Sequence, residues 1–255
     1  MIEHWSVDKN GMPSKLSISS CEIPRALFAK FLNDDKYPEK QKPQEPESGF
    51  VLTDPSKPIV NLRQDDAIRF CNWLSVRHGL QECYKHKGTT KYTDFKKNEI
   101  EMPTWKLDPG ASGYRLPASL EWELAARGGT QTSYSHSDSE FFVGCSRYQW
   151  HRTNSNCSYQ PVAQLMPNQF GIFDMLGNAA EICWGTDGLD STRSYKTIYS
   201  YWGGSALDNV VLHRIGIGRA QQLHRRNYGV GFRVVIDRNA DPELDQRLKA
   251  NCYLR

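Results

Sequence analysis

A carboxylate and an imidazole, Asp208 and His213, stand five residues apart in the segment "WGGSALDNVVLHR" (202 to 214), and His224 follows further along. Histidine and carboxylate together are ligand types that iron or zinc accepts. Three protein ligands are the usual minimum, and His224 is the only nearby nitrogen to complete a set. On a regular strand an odd separation sends two side chains to opposite faces, so Asp208 and His213 would converge only across a bulge. The other histidines (His4, His78, His86, His136, His151) are scattered, and no Ser-His-Asp or Cys-His nucleophile set stands out. Seven cysteines (Cys21, Cys71, Cys83, Cys145, Cys157, Cys183, Cys252) lack CxxC spacing. An odd, dispersed set points to reduced structural thiols rather than a zinc knot or a full disulfide framework.

The elements that would position these groups form one domain. A chain of 255 residues with 38% hydrophobic content buries a sizeable single core. Lys and Arg number 32 against 29 acids, and a net charge of +3 makes no nucleic-acid or membrane footprint. No apolar run approaches the ~20 residues of a membrane span, and "MIEHWSVDKNG" lacks a secretory leader's pattern, so a soluble, cytoplasmic protein is expected. In "EIPRALFAKFL", Ile23, Leu27, Phe28, Phe31 and Leu32 recur at helical spacing, with Pro24 suited to a first turn. "RQDDAIRFCNWLSVRHG" predicts a second helix, capped by Asp65 or Asp66, buried through Ala67, Phe70, Cys71 and Leu74, and ended by Gly79. A third lies in "GYRLPASLEWELAARGG", ended by Gly128 and Gly129. Residues 84 to 112 offer no sustained periodicity and read as irregular, and a short closing helix is expected in 239–255. Two or three helices with many short strands and long loops make an α+β chain.

Four words occur in order: "YRLPASLEWELAARGG" (114 to 129), "PNQFGIFDMLGNAAEICW" (167 to 184), "GGS" (203 to 205) and "RNYGVGFRVV" (226 to 235). Together they closely resemble the sulfatase-modifying-factor family, which includes the formylglycine-generating enzymes, and the likeness runs from about Ser14 to Val235. The resemblance implies a variant of the C-type lectin fold: an irregular, mainly antiparallel core with packed helices and long loops. It divides the chain into an extension or trimmed start (1–13), the domain (14–238) and a tail (239–255), with the family's Gly-rich opening word missing before Met12. Such domains are often attached to signalling parts, so a place in a larger assembly is expected. Where the family has Thr, Ala118 leaves the third helix without a side-chain cap while Glu121 remains. Trp122 and Leu124 are expected to pack, and Arg115 and Arg127 to tie carboxylates or carbonyls.

The resemblance also implies metal sites. "DMLGNAAE" matches a family calcium loop, in which Asp174 and Glu181 would supply carboxylate oxygen and Gly177 and Ala179 carbonyl oxygen. A second site would draw on Asn154 and the carbonyl of Asn156. The competing reading is that Asp174 and Glu181 only cap turns. In the formylglycine-generating oxidases two cysteines after the GGS turn bind copper, a soft metal suited to thiolates. Here those positions hold Asp208 and His213, and no cysteine lies between Cys183 and Cys252, so no copper is expected. By the same resemblance the segment after GGS lines the ligand cleft. Its Asp208, Asn209, His213, Arg219, Gln221, His224, Arg225 and Tyr228 combine directional hydrogen bonds with flat apolar contact. The reading is a non-catalytic binding module for a protein, peptide or glycan. The alternative is a formylglycine-generating-type oxidase, or a related metal-dependent oxygenase, with altered ligands.

Overall fold

The computed structural model describes residues 2–7, 13–43, 54–93, 97–136, 141–185 and 198–237. Two helices carry the largest core. Helix α1 (Arg25–Leu32) starts behind Pro24, whose extended backbone serves as the N-cap residue. Helix α2 (Gln64–Arg77) is closed at its start by Asp66, which accepts the Arg63 N–H at 2.9 Å, while Asp65 pairs with Arg69 instead. Gly79, at φ +69°, turns the chain out of α2 as expected. The helices meet through aromatic rings: Phe28 stacks on Phe70 at 5.6 Å, and Phe232 meets Phe70 edge-on at 5.3 Å. All three are fully buried, and such pairs add ~0.5–1.5 kcal/mol each beyond their buried area.

The strands form two small sheets and a hairpin. β1 (Ile2–Val7), β2 (Pro13–Ile18), β10 (Val235–Asp237) and β5 (Tyr114–Arg115) lie side by side in that order, all antiparallel. Residues 2–7, within the expected extension or trimmed start, form the outer strand of this sheet. In the second sheet β8 (Arg219–Gln222), β7 (Ile198–Trp202) and β6 (Ala180–Cys183) are antiparallel, and β9 (Val230–Gly231) joins β6 in parallel. The hairpin of β3 (Tyr84–Thr93) and β4 (Glu99–Leu107) corrects the irregular reading of 84 to 112. Of its first strand only Tyr84 and Tyr92 are buried, so the alternation that marks a half-buried strand is missing from the sequence.

Helix α3 (Ser119–Arg127) ends at Gly128 in the left-handed region, and Glu121 accepts the Ala118 N–H at 2.8 Å, the half of the capping box that survives without a cap hydroxyl. Arg115 grips the same Glu121 through two bonds of 2.6 and 2.7 Å, and Arg127 pairs with Glu123. Trp122 is fully buried at the centre of a second core with Met175, Leu176 and Val235; Leu124 is 37% exposed and does not pack as expected. A short helix α4 (Phe141–Tyr148) adds a fourth to the expected two or three. The closing helix expected in 239–255, and Cys252, lie outside the described residues. Among those described, no helix is long and apolar enough to cross a membrane.

Candidate functional site

The second sheet ends in the GGS turn, and the turn builds the site. After β7, Gly203 and Gly204 take φ of +92° and +71°. A Cβ on Gly204 would stand 2.2 Å from the His213 ring, so glycine is required twice over, by conformation and by space. The chain then enters a 3-10 turn (Val210–His213) rather than a strand, capped by the side chain of Asn209. That turn carries His213 inward. The imidazole is fully buried, its Nε2 lying 3.1 Å from the Ser205 carbonyl and its Nδ1 3.3 Å from Gln149. Burial pushes its pKa down to about 4, so it is neutral and donates from Nε2 to Ser205. His213 is thus a core residue, correcting its place on the recognition face.

Asp208 reaches the other side of the same serine. Its Oδ2 accepts the Ser205 N–H at 3.0 Å and the hydroxyl at 2.9 Å, and its Oδ1 lies 3.4 Å from Arg219 Nη1. Asp208 and His213 therefore clamp Ser205 between them. Beside this clamp, between the turn and strands β6 to β9, lies a recess of about 310 Å³. Ala180 and Val230 lie at its buried side, Asp208 and Arg219 form a half-exposed ion pair, and Tyr228 stands 68% exposed.

Of the residues read from the sequence as recognition groups, Asp208, Arg219 and Tyr228 come together at this recess. Gln221 and Arg225 are half-buried on β8 and the turn after it, and Asn209 is exposed beyond the clamp. His224 turns the other way, its ring 5.8 Å from Tyr92 of the hairpin. Ser205 and Arg226 also line the recess. In the sequence they stand only within the words "GGS" and "RNYGVGFRVV". Arg226 bonds Asp66 at 2.6 Å and the Asn61 carbonyl at 3.1 Å, which ties the recess to the start of α2. Burial pushes Asp66 up to about 6 despite this partner. No local pattern links positions 66 and 226; only their spatial meeting does.

The loop "DMLGNAAE" lies on the opposite flank of the GGS turn, where the Gly177 N–H bonds the Gly203 carbonyl at 2.9 Å. Both of its acids are buried. Glu181 is fully buried and both its oxygens meet Arg233, at 2.6 and 2.7 Å, with Trp122 Nε1 at 2.6 Å as a third donor. Asp174 accepts the Ala163 N–H at 2.6 Å, and burial pushes it up to about 6. Burial, with the charges of Asp174 and Glu181, also holds Glu22 well above the carboxylate range, and Glu22 accepts the Ala179 N–H at 2.9 Å. Asn154 spends its amide within its own turn, on the His151 N–H and the Gln149 carbonyl, and Asn156 is exposed. Among the described residues no three His, Cys, Asp or Glu side chains could hold a metal ion together.

The comparisons agree with this architecture. The chain is 30% identical over 194 residues to the Chaperone protein LppX of Paenibacillus barcinonensis, an alignment covering 69% of this chain and 64% of that protein. It is 36% identical over 79 residues, 28% of this chain and 26% of the relative, to the Formylglycine-generating enzyme of Mycobacterium tuberculosis. The chain thus spans less than two thirds of the length of either curated relative. Among solved structures, the Treponema denticola variable protein 1 superposes with a TM-score of 0.64 at 22% identity, covering 93% of this chain and 91% of that one, a likeness of fold. Residues 9–238 match the Sulfatase-modifying factor enzyme 1-like domain (FGE-sulfatase), and the chain belongs to that family.

Proposed function

We propose that this domain is a non-catalytic binding module that takes a protein or peptide ligand at the recess beside the GGS turn. The observation that carries the reading is the clamp on Ser205. Asp208 and His213, at the positions where the family's oxidases bear copper cysteines, are spent on one serine's N–H, hydroxyl and carbonyl. Neither is a thiolate, the ligand type that suits Cu(I). What faces outward is a cation paired to an acid beside an exposed phenol ring, groups suited to peptide amides and side chains. A relative named as a chaperone supports a polypeptide ligand over a glycan. The greater length of the curated relatives supports a role as one module of a larger assembly.

The test is a pull-down with the wild-type domain against an Arg219→Ala/Tyr228→Ala variant, together with metal analysis of gently purified protein and oxygen uptake with a cysteine-containing peptide. The module retains its partner and the variant loses it. Copper or iron near stoichiometric amount, with thiol-dependent oxygen uptake, would overturn the reading in favour of an oxidase with altered ligands.

A further inference from the structure

A larger cavity, about 430 Å³, lies on the other side of the second sheet, where helix α2, the β3–β4 hairpin and the ends of β6 and β8 meet. Its volume is in the range of small-molecule pockets. The walls are mostly apolar. Ile68 and Met102 are buried in it, and the indoles of Trp105 and Trp184 and the side chain of Leu223 are half-buried around them. The hairpin that forms one wall is the element the sequence left unread.

Three of the polar side chains in this lining donate to partners inside the protein. Trp105 Nε1 donates to Asp65 Oδ1 at 2.7 Å, the Gln64 amide nitrogen to the Cys183 carbonyl at 3.1 Å, and the Thr104 hydroxyl to the Gly88 carbonyl at 3.0 Å. The Trp105 and Thr104 donors are committed inside the protein, and the oxygens of Asp65, Gln64 and Thr104 retain lone pairs that can accept from a ligand. Asp65 is neutralised by Arg69 at 2.9 Å, and the Arg69 guanidinium also lies over the Trp105 ring, 5.4 Å from its centroid. A charged ligand therefore gains no counter-ion here. A sugar, polar around its whole rim, would set hydroxyls against Ile68, Met102 and Leu223, each unpaired hydroxyl at a cost. A flat aromatic ring instead gains dispersion against the indoles and a sulfur contact with Met102.

From this we infer that the cavity between α2, the hairpin and the second sheet is a binding site for a neutral aromatic ring carrying one hydrogen-bond donor, a phenol or an indole. It is separate from the recess at Asp208 and Arg219 and does not depend on the function proposed there. The experiment is ligand-observed NMR with p-cresol, toluene and methyl β-glucoside as probes, on the wild-type chain and on Leu223→Glu, Thr90→Trp and Arg219→Ala. Binding of p-cresol saturates at millimolar concentration, toluene binds about fivefold more weakly for want of the donor, and the glucoside gives no signal. Leu223→Glu places a charge at the wall and Thr90→Trp fills the space; each lowers p-cresol affinity at least tenfold, whereas Arg219→Ala leaves it unchanged. The two cavity variants come from different elements, and thermal melts identify whichever folds. No saturable p-cresol binding, equal binding of the glucoside or of toluene, or unchanged affinity in a folded cavity variant would overturn the assignment.

Discussion

The Glu181–Arg233 pair is the strongest quantitative test of the structure. Both side chains are fully buried; two bonds of 2.6 and 2.7 Å join them, and Arg233 also donates to the carbonyls of Ser19 and Phe173, each at 2.9 Å. Removing one partner of a buried ion pair leaves an uncompensated charge, at about 3–5 kcal/mol. Arg233→Met leaves Glu181 beside two further buried acids, Glu22 and Asp174, with Trp122 as its remaining donor. Glu181→Ala strands the guanidinium and removes the acceptor of the Trp122 N–H, a further ~1–3 kcal/mol. Domains of this size hold about 5–15 kcal/mol in all. Arg233→Met therefore lowers Tm by about 6–20 °C, at 2–4 °C per kcal/mol, and Glu181→Ala lowers it further. The double variant Glu181→Ala/Arg233→Met, which removes both charges, recovers a large part of the loss, so a double-mutant cycle returns a coupling of ~2–3 kcal/mol. Chelator and added calcium leave the wild-type Tm unchanged, because the carboxylate that would hold the ion is spent on arginine. Calorimetry of the four proteins, with and without chelator, is the assay. A single-variant cost below about 1 kcal/mol, an additive cycle, or a wild-type Tm that falls on chelation would refute the reasoning.

Three further outcomes follow from the same geometry. Gly204→Ala meets both the positive φ and the His213 ring 2.2 Å away, and destabilises by more than the ~1 kcal/mol typical of a point change, read by denaturant melts; a neutral result would mean the turn relaxes freely. Asp208→Ala removes three bonds that hold the turn and costs about 1–2 kcal/mol, whereas Tyr228→Ala stays within ~0.5 kcal/mol as an exposed site should; equal costs would contradict the clamp on Ser205. Stability between pH 4 and 6.5 carries two opposed slopes. Burial raises Asp174 from 3.8 to about 6, so the native state binds more protons than the unfolded chain in that window and stability falls as pH rises through it. Burial lowers His213 from 6.5 to about 4, so the native state binds fewer, and stability rises with pH. Asp174→Asn should therefore tilt the measured pH dependence upward and His213→Gln downward; the reverse order in pH-stepped melts would contradict the burial of these groups.

Local signals in the chain were enough for the elements that announce themselves at short range. Phe28, Phe31 and Phe70 fall on helical spacing and are buried, and Gly79 and Gly128 stop their helices in the left-handed region. The four words that carry the family resemblance span both sheets, so the fold followed from them. The hairpin did not show, because it is exposed along most of its first strand and its two buried tyrosines are eight residues apart. The short helix α4 has eight residues, too few for periodicity to stand out.

At the site, residue types and spacing determined which groups were available: a Gly-Gly turn, an acid and a histidine where cysteines would be needed for copper, and a mixed polar segment after them. Where each group points was decided by tertiary structure. A strand's alternation was the natural frame for Asp208 and His213, but a 3-10 turn replaced it, and both side chains converge on Ser205. The carboxylate of Glu181 is the same chemical group whether it faces a cation or Arg233. Its partner comes 52 residues later in the chain, and burial at that meeting point makes the pairing decisive. Sequence carries the inventory because composition and short-range periodicity are local; the assignment of each buried charge to its partner is non-local, and only the packed chain contains it.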